Sequence, residues 1–363
     1  MILGPDLALD GGVTNYYRTL ALHSQDDIDY FAVNKKGTAG FPEKVLSVFV
    51  ATLGLLRRVG HYDIVHINPS LDFNSFFRDL CLILVARFRR KQILVFFHGW
   101  EDEFQLRIQN SGLLHFLFRI SYAKADRLIV LGECFRDRLV ELGVNPKTPF
   151  EVETTVADSN GIDELDLASK TNSFKEGIRC LFLSRILREK GLFIAIDTIQ
   201  KFTQRNPSRK ISLVVAGDGP DLEEAQNYVE ASGIEEVEFV GEIYNKEKQA
   251  LLRSCHVMLF PTYYGEGLPS CVVEAMLFGQ AVLSRNNAAI PEIVEHGANG
   301  FLTDEISSDT FVHFLEKLSE LPSLYEKMAN DNHQKALRLF TTEHVRARIL
   351  TIYDKLEIGE HQN

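Results

Sequence analysis

Short apolar runs alternate with longer amphipathic segments along most of the chain. In the first half, a predicted helix at 43–59 precedes the run Ile64–Ile67, a predicted helix at 73–90 separates it from the run at 93–97, and a further run follows at 127–131. Short apolar strands that are separated by helices predict a parallel sheet covered on both faces. The remaining elements predicted for this half are a strand and helix at 2–5 and 13–23, a strand at 30–33, one helix across 104–123 and a last strand at 150–153.

The alternation stops and then starts again. Residues 157–176 are polar, which predicts a linker at 161–177 between a first domain at 1–160 and a second domain at 178–340. Beyond residue 307 the pattern is helical only, and we expect residues 341–363 to form a helix that packs back toward the first domain. The predicted fold class is α/β, with two tandem Rossmann-like, doubly wound domains. Because ligands bind outside the carboxyl ends of such strands, a cleft between the domains is the expected site.

Composition supports two domains and limits the partners. The chain has 363 residues, of which 45% are hydrophobic, so each half can bury its own core. A net charge of −11 argues against nucleic acid as the main partner. Residues 44–138 nevertheless carry 14 Lys+Arg against 9 Asp+Glu, whereas the rest of the chain carries 25 against 41. This local basic excess indicates an anionic partner for the first domain.

The cysteines and the apolar runs predict a cytoplasmic protein. The five cysteines are odd in number and lack metal-ligand spacing, which favours reduced thiols. No signal peptide is recognisable, and no apolar run reaches the roughly 18 residues needed to span a bilayer. The sequence begins only one residue before the predicted first strand, which is short, so a truncated N-terminus remains an alternative.

The stretch from Phe260 to Met276, FPTYYGEGLPSCVVEAM, combines a glycine-containing loop with a helix. Pro269 and Ser270 suit a helix start, and Glu274 falls in the first turns among apolar residues. A buried carboxylate needs a partner, because burying it unpaired is costly. On these residues alone, a ligand site that includes Glu266 and Glu274 and a capped core helix remain alternatives.

Other groups with potential chemistry follow the predicted strands. Ser184, Arg185 and Lys190 come after the first strand of the second domain, where two cations and free N–H groups suit a phosphate pair. A solvated basic turn is the alternative. His98 follows a strand of the first domain beside a glycine, a position from which it can reach a ligand.

Two turns that contain glycine also follow predicted strands. Gly11-Gly12 separates the first strand from its helix, as in loops that bring N–H groups to a phosphate, although the dinucleotide spacing is absent. Gly217 begins the turn GDGP, which alone indicates only a turn.

Together these segments resemble glycosyltransferase family 4, the retaining GT-B enzymes that use nucleotide-activated sugars. The resemblance rests on Gly11-Gly12, His98-Gly99, SRILREKG from Ser184, GDGP, the stretch FPTYYGEGLPSCVVEAM, and PEIVEHGANGFL from Pro291. It covers nearly the whole chain, and the two glutamates combined with R-x4-K are its most specific part.

The resemblance implies a role for each matching residue. Arg185 and Lys190 would hold the donor diphosphate, Glu274 the ribose, Glu266 the sugar hydroxyls, and His98 would face the sugar. The remaining donor-binding residues implied are Gly11, Gly12, Ser184, Gly217, Ile243, Gly267, Leu268 and Pro269.

The resemblance also implies the reaction. A sugar would pass with retention from a nucleotide diphosphate, UDP in preference to GDP, to a glycan or lipid-linked glycan of bacterial surface polysaccharide or glycoconjugate biosynthesis. We expect no cofactor and no metal, since the two cations can stabilise the leaving diphosphate. The apolar helix at 43–58 and the cations near residues 87–91 suggest peripheral contact with an anionic inner membrane leaflet, although solvated cations on packed helices are the alternative.

Departures from the family pattern and other functions stay open. Ala288-Ala289 replaces a common glycine pair and makes that loop's backbone less permissive, and TTVAD at 154–158 replaces the common Asn-Gly-Val-Asp of the linker. A catalytically silent nucleotide-sugar-binding relative and another GT-B enzyme, such as a sugar-nucleotide epimerase, are the alternative functions. The sequence does not identify the sugar, base, acceptor, linkage or oligomeric state.

Overall fold

The computed structural model describes residues 1–9, 11–34 and 41–360. Asp10 of the predicted glycine turn and residues 361–363 of the predicted C-terminal segment lie outside this range. The chain divides into two compact units. The first comprises Met1–Val156, Gly265–Leu268 and the segment from Thr342 onward, and the second comprises Ala157–Tyr264 and Pro269–Thr341.

The first unit alternates strands and helices as the hydrophobic pattern predicts. Its elements are β1 (Ile2–Gly4), α1 (Gly12–Leu20), β2 (Tyr30–Ala32), α2 (Phe41–Arg58), β3 (Ile64–Ile67), β4 (Ser70–Leu71), α3 (Phe73–Phe88), β5 (Gln92–Phe96), β6 (Gly99–Trp100), α4 (Asp102–Asn110), α5 (Gly112–Ile120), β7 (Arg127–Val130), α6 (Glu133–Glu141) and β8 (Phe150–Val152).

Six of these strands form one parallel sheet in the order β2-β1-β3-β5-β7-β8. Strands β4 and β6 pair separately, also in parallel. The strand order reverses between β1 and β3, and such a switch point opens a crevice at the carboxyl ends of the two strands.

The second unit repeats this design. Its elements are α7 (Leu167–Glu176), β9 (Ile178–Leu183), α8 (Leu192–Arg205), β10 (Ile211–Ala216), α9 (Leu222–Ala231), β11 (Val237–Gly241), α10 (Asn245–Ser254), β12 (Val257–Phe260), α11 (Ser270–Leu277), β13 (Ala281–Arg285), α12 (Ile290–Ile293), β14 (Gly300–Thr303), α13 (Ser308–Glu320) and α14 (Pro322–Leu339). Its parallel sheet has the order β11-β10-β9-β12-β13-β14, which is the strand order of a Rossmann domain. The switch point falls between β9 and β12.

Several predicted elements differ from the structure. The single helix expected across 104–123 is two helices, because Ser111 breaks it and its Oγ accepts the Leu114 N–H of α5. The sequence analysis missed α6, whose surface is mostly polar, and β14, which is only four residues long.

The segment predicted as a linker, 161–177, contains regular structure. It contains a 3-10 turn at Ile162–Glu164 and helix α7, which Asp166 caps by accepting the Ser169 N–H. Among the polar residues of α7, Lys170 is buried. Its Nζ donates to the carbonyls of Leu252 at 3.0 Å and Phe278 at 2.6 Å. This segment therefore belongs to the core of the second unit.

The last helix, α15 (Thr342–Glu360), belongs to the first unit, as the sequence predicts. Its Arg348 forms a bidentate ion pair with the buried carboxylate of Glu153, with N–O distances of 2.6 and 2.9 Å. The same guanidinium donates to Thr154 Oγ1 at 3.0 Å. Because Glu153 lies in the chain just after β8, this pair fixes α15 to the edge of the first sheet.

We expect Arg348→Met to destabilise the protein by about 3 kcal/mol, since breaking a buried ion pair leaves an uncompensated charge. Urea denaturation at neutral pH measures the free energy of unfolding. The double variant Arg348→Met, Glu153→Leu should recover most of this loss, because it removes both charges. Equal destabilisation by the single and double variants would contradict the proposed cause.

Candidate functional site

The switch point of the second sheet brings two loops together. The loop after β9 contains Arg185 and Lys190, and the loop after β12 leads toward Glu266 and α11. Backbone contacts join the loops, since the Tyr263 N–H donates to the Glu189 carbonyl at 2.8 Å. At Gly191 (φ +88°), an added Cβ would lie 2.3 Å from the Pro261 carbonyl oxygen, so only glycine allows this approach.

The two predicted diphosphate cations lie on the first of these loops. The Arg185 side chain is exposed, and Lys190 ends the 3-10 turn Arg188–Lys190. Lys190 Nζ stands 4.2 Å from the centroid of the Tyr264 ring, within range of a cation–π interaction. The Tyr264 ring thus orients the Lys190 ammonium, and because the ring is uncharged it does not neutralise the ammonium's positive charge.

Gly217 has a packing role that the sequence did not reveal. Its φ is +136°, and an added Cβ would lie 1.9 Å from the carbonyl oxygen of Ser184. The next residue completes the contact, because the Asp218 carbonyl accepts the Ile186 N–H at 2.8 Å. The GDGP turn therefore supports the Ser184–Arg185 loop directly. Ile243 follows β11 and is half-buried beside the start of α10.

Helix α11 begins at Ser270 and follows Pro269, as predicted, but no side chain caps it. Ser270 is therefore the first residue of the helix, and its hydroxyl does not cap it. A helix N-terminus that lacks a side-chain acceptor carries partial positive charge from its N–H groups, which favours an anion there.

Glu274 on α11 is buried, as the pattern predicts, and its partner within the protein is Lys248. Lys248 Nζ lies 2.8 Å from Glu274 Oε1, and only 4% of the Glu274 side chain is accessible. Burial raises the pKa of this carboxyl above its usual value, while the neighbouring Lys248 opposes the rise.

In the first unit, Gly11 and Gly12 begin α1 at the switch-point edge of the sheet. A Cβ at Gly12 would contact nothing within 4 Å, and one at Gly11 would contact only Thr14 Oγ1 at 3.8 Å. This glycine pair consequently borders open space, in contrast to Gly191 and Gly217.

His98, which follows β5, is held by a buried polar network. Its Nε2 lies 3.0 Å from Asn68 Oδ1, which also accepts the Tyr17 hydroxyl at 2.6 Å, while Asn68 Nδ2 donates to the Leu3 carbonyl. An amide oxygen only accepts, so Nε2 must carry the proton and Nδ1 is left as an acceptor. Burial lowers the pKa of His98 to about 3, so the imidazole is neutral at physiological pH.

Glu266, Gly267 and Leu268 belong to the first unit although they precede α11 in sequence. An added Cβ at Gly267 would lie 2.3 Å from the His98 carbonyl oxygen, so this glycine brings two predicted site segments together. Glu266 itself is half-buried.

Two further features are absent from the described residues. No group of three or more His, Cys, Asp or Glu side chains within 1–9, 11–34 and 41–360 is arranged to hold a metal ion. In the same residues, no helix has the length and apolar character to cross a membrane.

The fold and a family model point to the same class of protein. Two units, each with an all-parallel Rossmann-like sheet, form the GT-B fold, and residues 163–335 match the family model for glycosyl transferases group 1. This match agrees with the resemblance to glycosyltransferase family 4.

Curated relatives support the same resemblance. The chain is 25% identical over 269 residues to an uncharacterised glycosyltransferase of Methanocaldococcus jannaschii, which covers 69% of this chain and 65% of that protein. It is 23% identical over 292 residues to the colanic acid biosynthesis glycosyltransferase WcaL of Salmonella typhimurium, covering 76% and 67%. A match to the amylovoran biosynthesis glycosyltransferase AmsK of Erwinia amylovora has 28% identity over 206 residues and covers 55% and 49%. The matches thus span about two thirds or less of these relatives.

Solved structures show the same fold. Anabaena HepE, crystallised with UDP and glucose, has a TM-score of 0.75 and 16% identity, and the alignment covers 98% of both chains. Sucrose-phosphate synthase from Thermosynechococcus elongatus has the same TM-score and identity over 99% of this chain and 98% of that one.

The sequence analysis missed two residues that position the predicted ones. Lys248 lies on α10, 26 positions from Glu274, and nothing in the local pattern of α10 links them. Asn68 follows β3, 30 positions before His98. Its place directly after a strand, at the same sheet edge as His98, was the available signal.

We expect Lys248→Met to destabilise the protein by about 3 kcal/mol at pH 7, because it leaves the Glu274 charge buried and unpaired. Without Lys248 the pKa of Glu274 rises further, so the folded state holds a proton that the unfolded state releases. Stability should therefore recover as the pH falls through that raised pKa.

Urea denaturation between pH 5 and pH 8 tests this expectation. Lys246→Met removes an exposed cation from the same helix and serves as the control. A loss in Lys248→Met that is the same at both pH values would contradict the role assigned to Glu274.

Proposed function

We propose that this protein transfers a sugar, with retention, from a nucleotide-diphosphate donor to a glycan or lipid-linked glycan. One observation carries the proposal: Arg185 and Lys190 lie on the loop at the switch point of the second sheet, hydrogen-bonded to the loop that leads to the uncapped start of α11. Fixed cations and free helix N–H groups suit a diphosphate.

The chemistry of transfer explains why these groups are needed. Cleavage of the bond between sugar and phosphate builds negative charge on the departing diphosphate. Groups that interact more strongly with this charge as it develops lower the barrier. Arg185 and Lys190 would supply that stabilisation, so we propose that the reaction needs no divalent metal.

Glu274 and His98 suit neutral hydroxyl partners. Lys248 engages Oε1 of Glu274, and we propose that Oε2 accepts a hydrogen bond from the donor ribose. The neutral His98, with Nε2 bound to Asn68, would accept a sugar hydroxyl at Nδ1. Glu266 would bind the other sugar hydroxyls, and the backbone from Gly267 to Pro269 would approach the sugar and phosphate.

We propose retention of the anomeric configuration on the basis of the family resemblance. In that scheme the acceptor attacks from the face of the departing phosphate, which takes the acceptor's proton. Ser184, Gly11 and Gly12 would contact the phosphates, Gly217 would support the Ser184 loop, and the backbone at Ile243 would meet the base.

The substrates proposed come from the comparisons. HepE was crystallised with UDP and glucose, which supports a UDP-sugar donor in preference to a GDP-sugar. WcaL and AmsK are named for colanic acid and amylovoran biosynthesis, which supports an acceptor from bacterial surface polysaccharide assembly.

A lipid-linked acceptor would require contact with a membrane, and α2 offers a suitable surface. Four of its apolar side chains are more than half exposed, namely Val45, Leu46, Phe49 and Val50. They share one face of the helix, which ends with Arg57 and Arg58. An exposed apolar face next to cations favours the interface of an anionic bilayer, so we propose peripheral binding there.

We expect Arg185→Ala to lower turnover by about 10² to 10³, the usual effect of removing one such charge-stabilising donor. The assay measures nucleotide release from a panel of UDP-, GDP- and ADP-sugars, with and without candidate acceptors and with and without EDTA. Arg188→Ala is the matched control, because Arg188 lies on the same loop and is already paired with Glu224 of α9.

The panel also distinguishes other functions. Acceptor-dependent nucleotide release that EDTA does not affect supports the proposal. Release of an epimerised donor would identify an epimerase, and donor binding without turnover would identify a silent relative. Unchanged turnover in Arg185→Ala would contradict the mechanism.

Membrane binding makes a separate prediction. We expect the protein to float with vesicles that contain phosphatidylglycerol, and Leu46→Glu, Phe49→Glu to abolish flotation by opposing insertion of α2. Ile306→Glu alters an equally exposed apolar side chain of the second unit and is the control. Flotation that is unchanged in the α2 variant would refute this surface.

A further inference from the structure

A cavity of about 610 Å³ lies in the first unit, at the end of the sheet opposite to His98. Gln92 and Arg127, the first residues of β5 and β7, line it together with Pro149, which precedes β8. These are the amino ends of the strands, whereas His98 follows the carboxyl end of β5. The cavity is therefore separate from the proposed transfer site, and the inference drawn from it does not depend on the proposed function.

The lining is strongly basic. Its cationic side chains are Arg87, Arg90, Lys91, Lys124, Arg127 and Lys355. Asp126 is the carboxylate of the lining, and Glu151 behind it pairs with Arg127 at 2.5 Å and with Lys355 at 2.8 Å. Six positive charges offset by two negative ones leave four. Arg87, Arg90, Lys91 and Lys124 form no ion pair within the part of the chain that the structure describes.

Arg127 contributes a donor that is buried and unused. Its Nη1 donates to Glu151, but Nε is buried and has no hydrogen-bond partner among the described residues. A buried unpaired donor costs free energy. Arg127 also lines the cavity, where the positive charge of its guanidinium favours an anion.

Arg90 occupies a position where glycine is the unstrained residue. Its φ is +55°, and the N–H groups of Arg90 and Lys91 donate to the carbonyls of Arg87 and Ala86. This is the Schellman ending of a helix, in which the left-handed residue is usually glycine. The arginine gives this turn a cation at the cavity, at some cost in backbone strain.

The uncharged part of the lining limits the ligand. Ile93, Pro149 and Leu356 form its apolar part, and the lining includes no aromatic side chain on which a nucleobase could stack. The volume exceeds that of a phosphate ion and falls within the range of small-molecule sites.

We propose that this cavity binds a phosphate ester with a small aliphatic or polyol group, through Arg90, Lys124 and Arg127. The same chemistry occurs in a soluble compound such as glycerol phosphate and in the headgroup of phosphatidylglycerol. Both present an anion for the cations and a short carbon segment for the apolar wall.

Calorimetric titration with glycerol 1-phosphate tests the site in the full chain. The titrations use the background Arg185→Ala, Lys190→Ala, which removes the proposed diphosphate cations from the other unit. We expect Arg90→Gly and Lys124→Gln each to weaken binding about tenfold, since each removes a charged hydrogen bond. Arg107→Ala, which removes a cation of the same unit outside the cavity, should bind as the background does.

Thermal unfolding separates binding from folding. Arg90→Gly should keep or raise the melting temperature, because glycine relieves the left-handed strain. Weaker binding together with undiminished stability supports a ligand role for Arg90. Binding of glycerol phosphate that Arg90→Gly and Lys124→Gln leave unchanged would overturn the proposal.

A vesicle assay identifies the source of the phosphate. If phosphatidylglycerol vesicles bind the protein, lose affinity for Arg90→Gly and are displaced by glycerol phosphate, the ligand is a lipid headgroup. If glycerol phosphate binds through Arg90 and the vesicles do not compete with it, the ligand is soluble. If neither ligand binds, the cavity is not a phosphate site and the proposal fails.

Discussion

The parallel direction of every strand in the two main sheets is the constraint on which the rest of the structure depends. Parallel strands need crossover helices, so each sheet is covered on both faces and its strands become apolar. The carboxyl ends of the strands also lie at one edge of each sheet, where the chain continues into loops. This arrangement places Arg185, Lys190 and His98 on loops, although the three residues share no local sequence pattern.

Two buried carboxylates are each compensated by a cation from a distant part of the chain. Glu153 pairs with Arg348, and Glu274 pairs with Lys248. Lys170 instead relies on two backbone carbonyls, and burial lowers its pKa to about 7. Such groups add little net stability when paired but cost much when separated, so they specify which elements pack together.

The sequence predicted the alternation of strands and helices well because that signal is local and periodic. It predicted the loops that carry Arg185 and His98 because parallel sheets expose their carboxyl ends. It failed where the determinant was a contact between distant residues. A polar helix such as α7 resembles a linker until Lys170 is seen to be buried, and Lys248 becomes important only when α10 and α11 are side by side. Likewise, Gly217 resembles an ordinary turn residue until the Ser184 carbonyl is found against it.

Helix α15 has a consequence for how the protein is made. It completes the first unit, where His66 bonds to Tyr353 and Arg346 donates to the Leu20 carbonyl, yet the ribosome produces it after the entire second unit. Until then Glu153 lacks its arginine and the cover of the first sheet is incomplete. The synthesis of the first unit therefore begins before that of the second unit and ends after it. During this interval part of the first sheet is uncovered in the nascent chain, which can bind chaperones or aggregate.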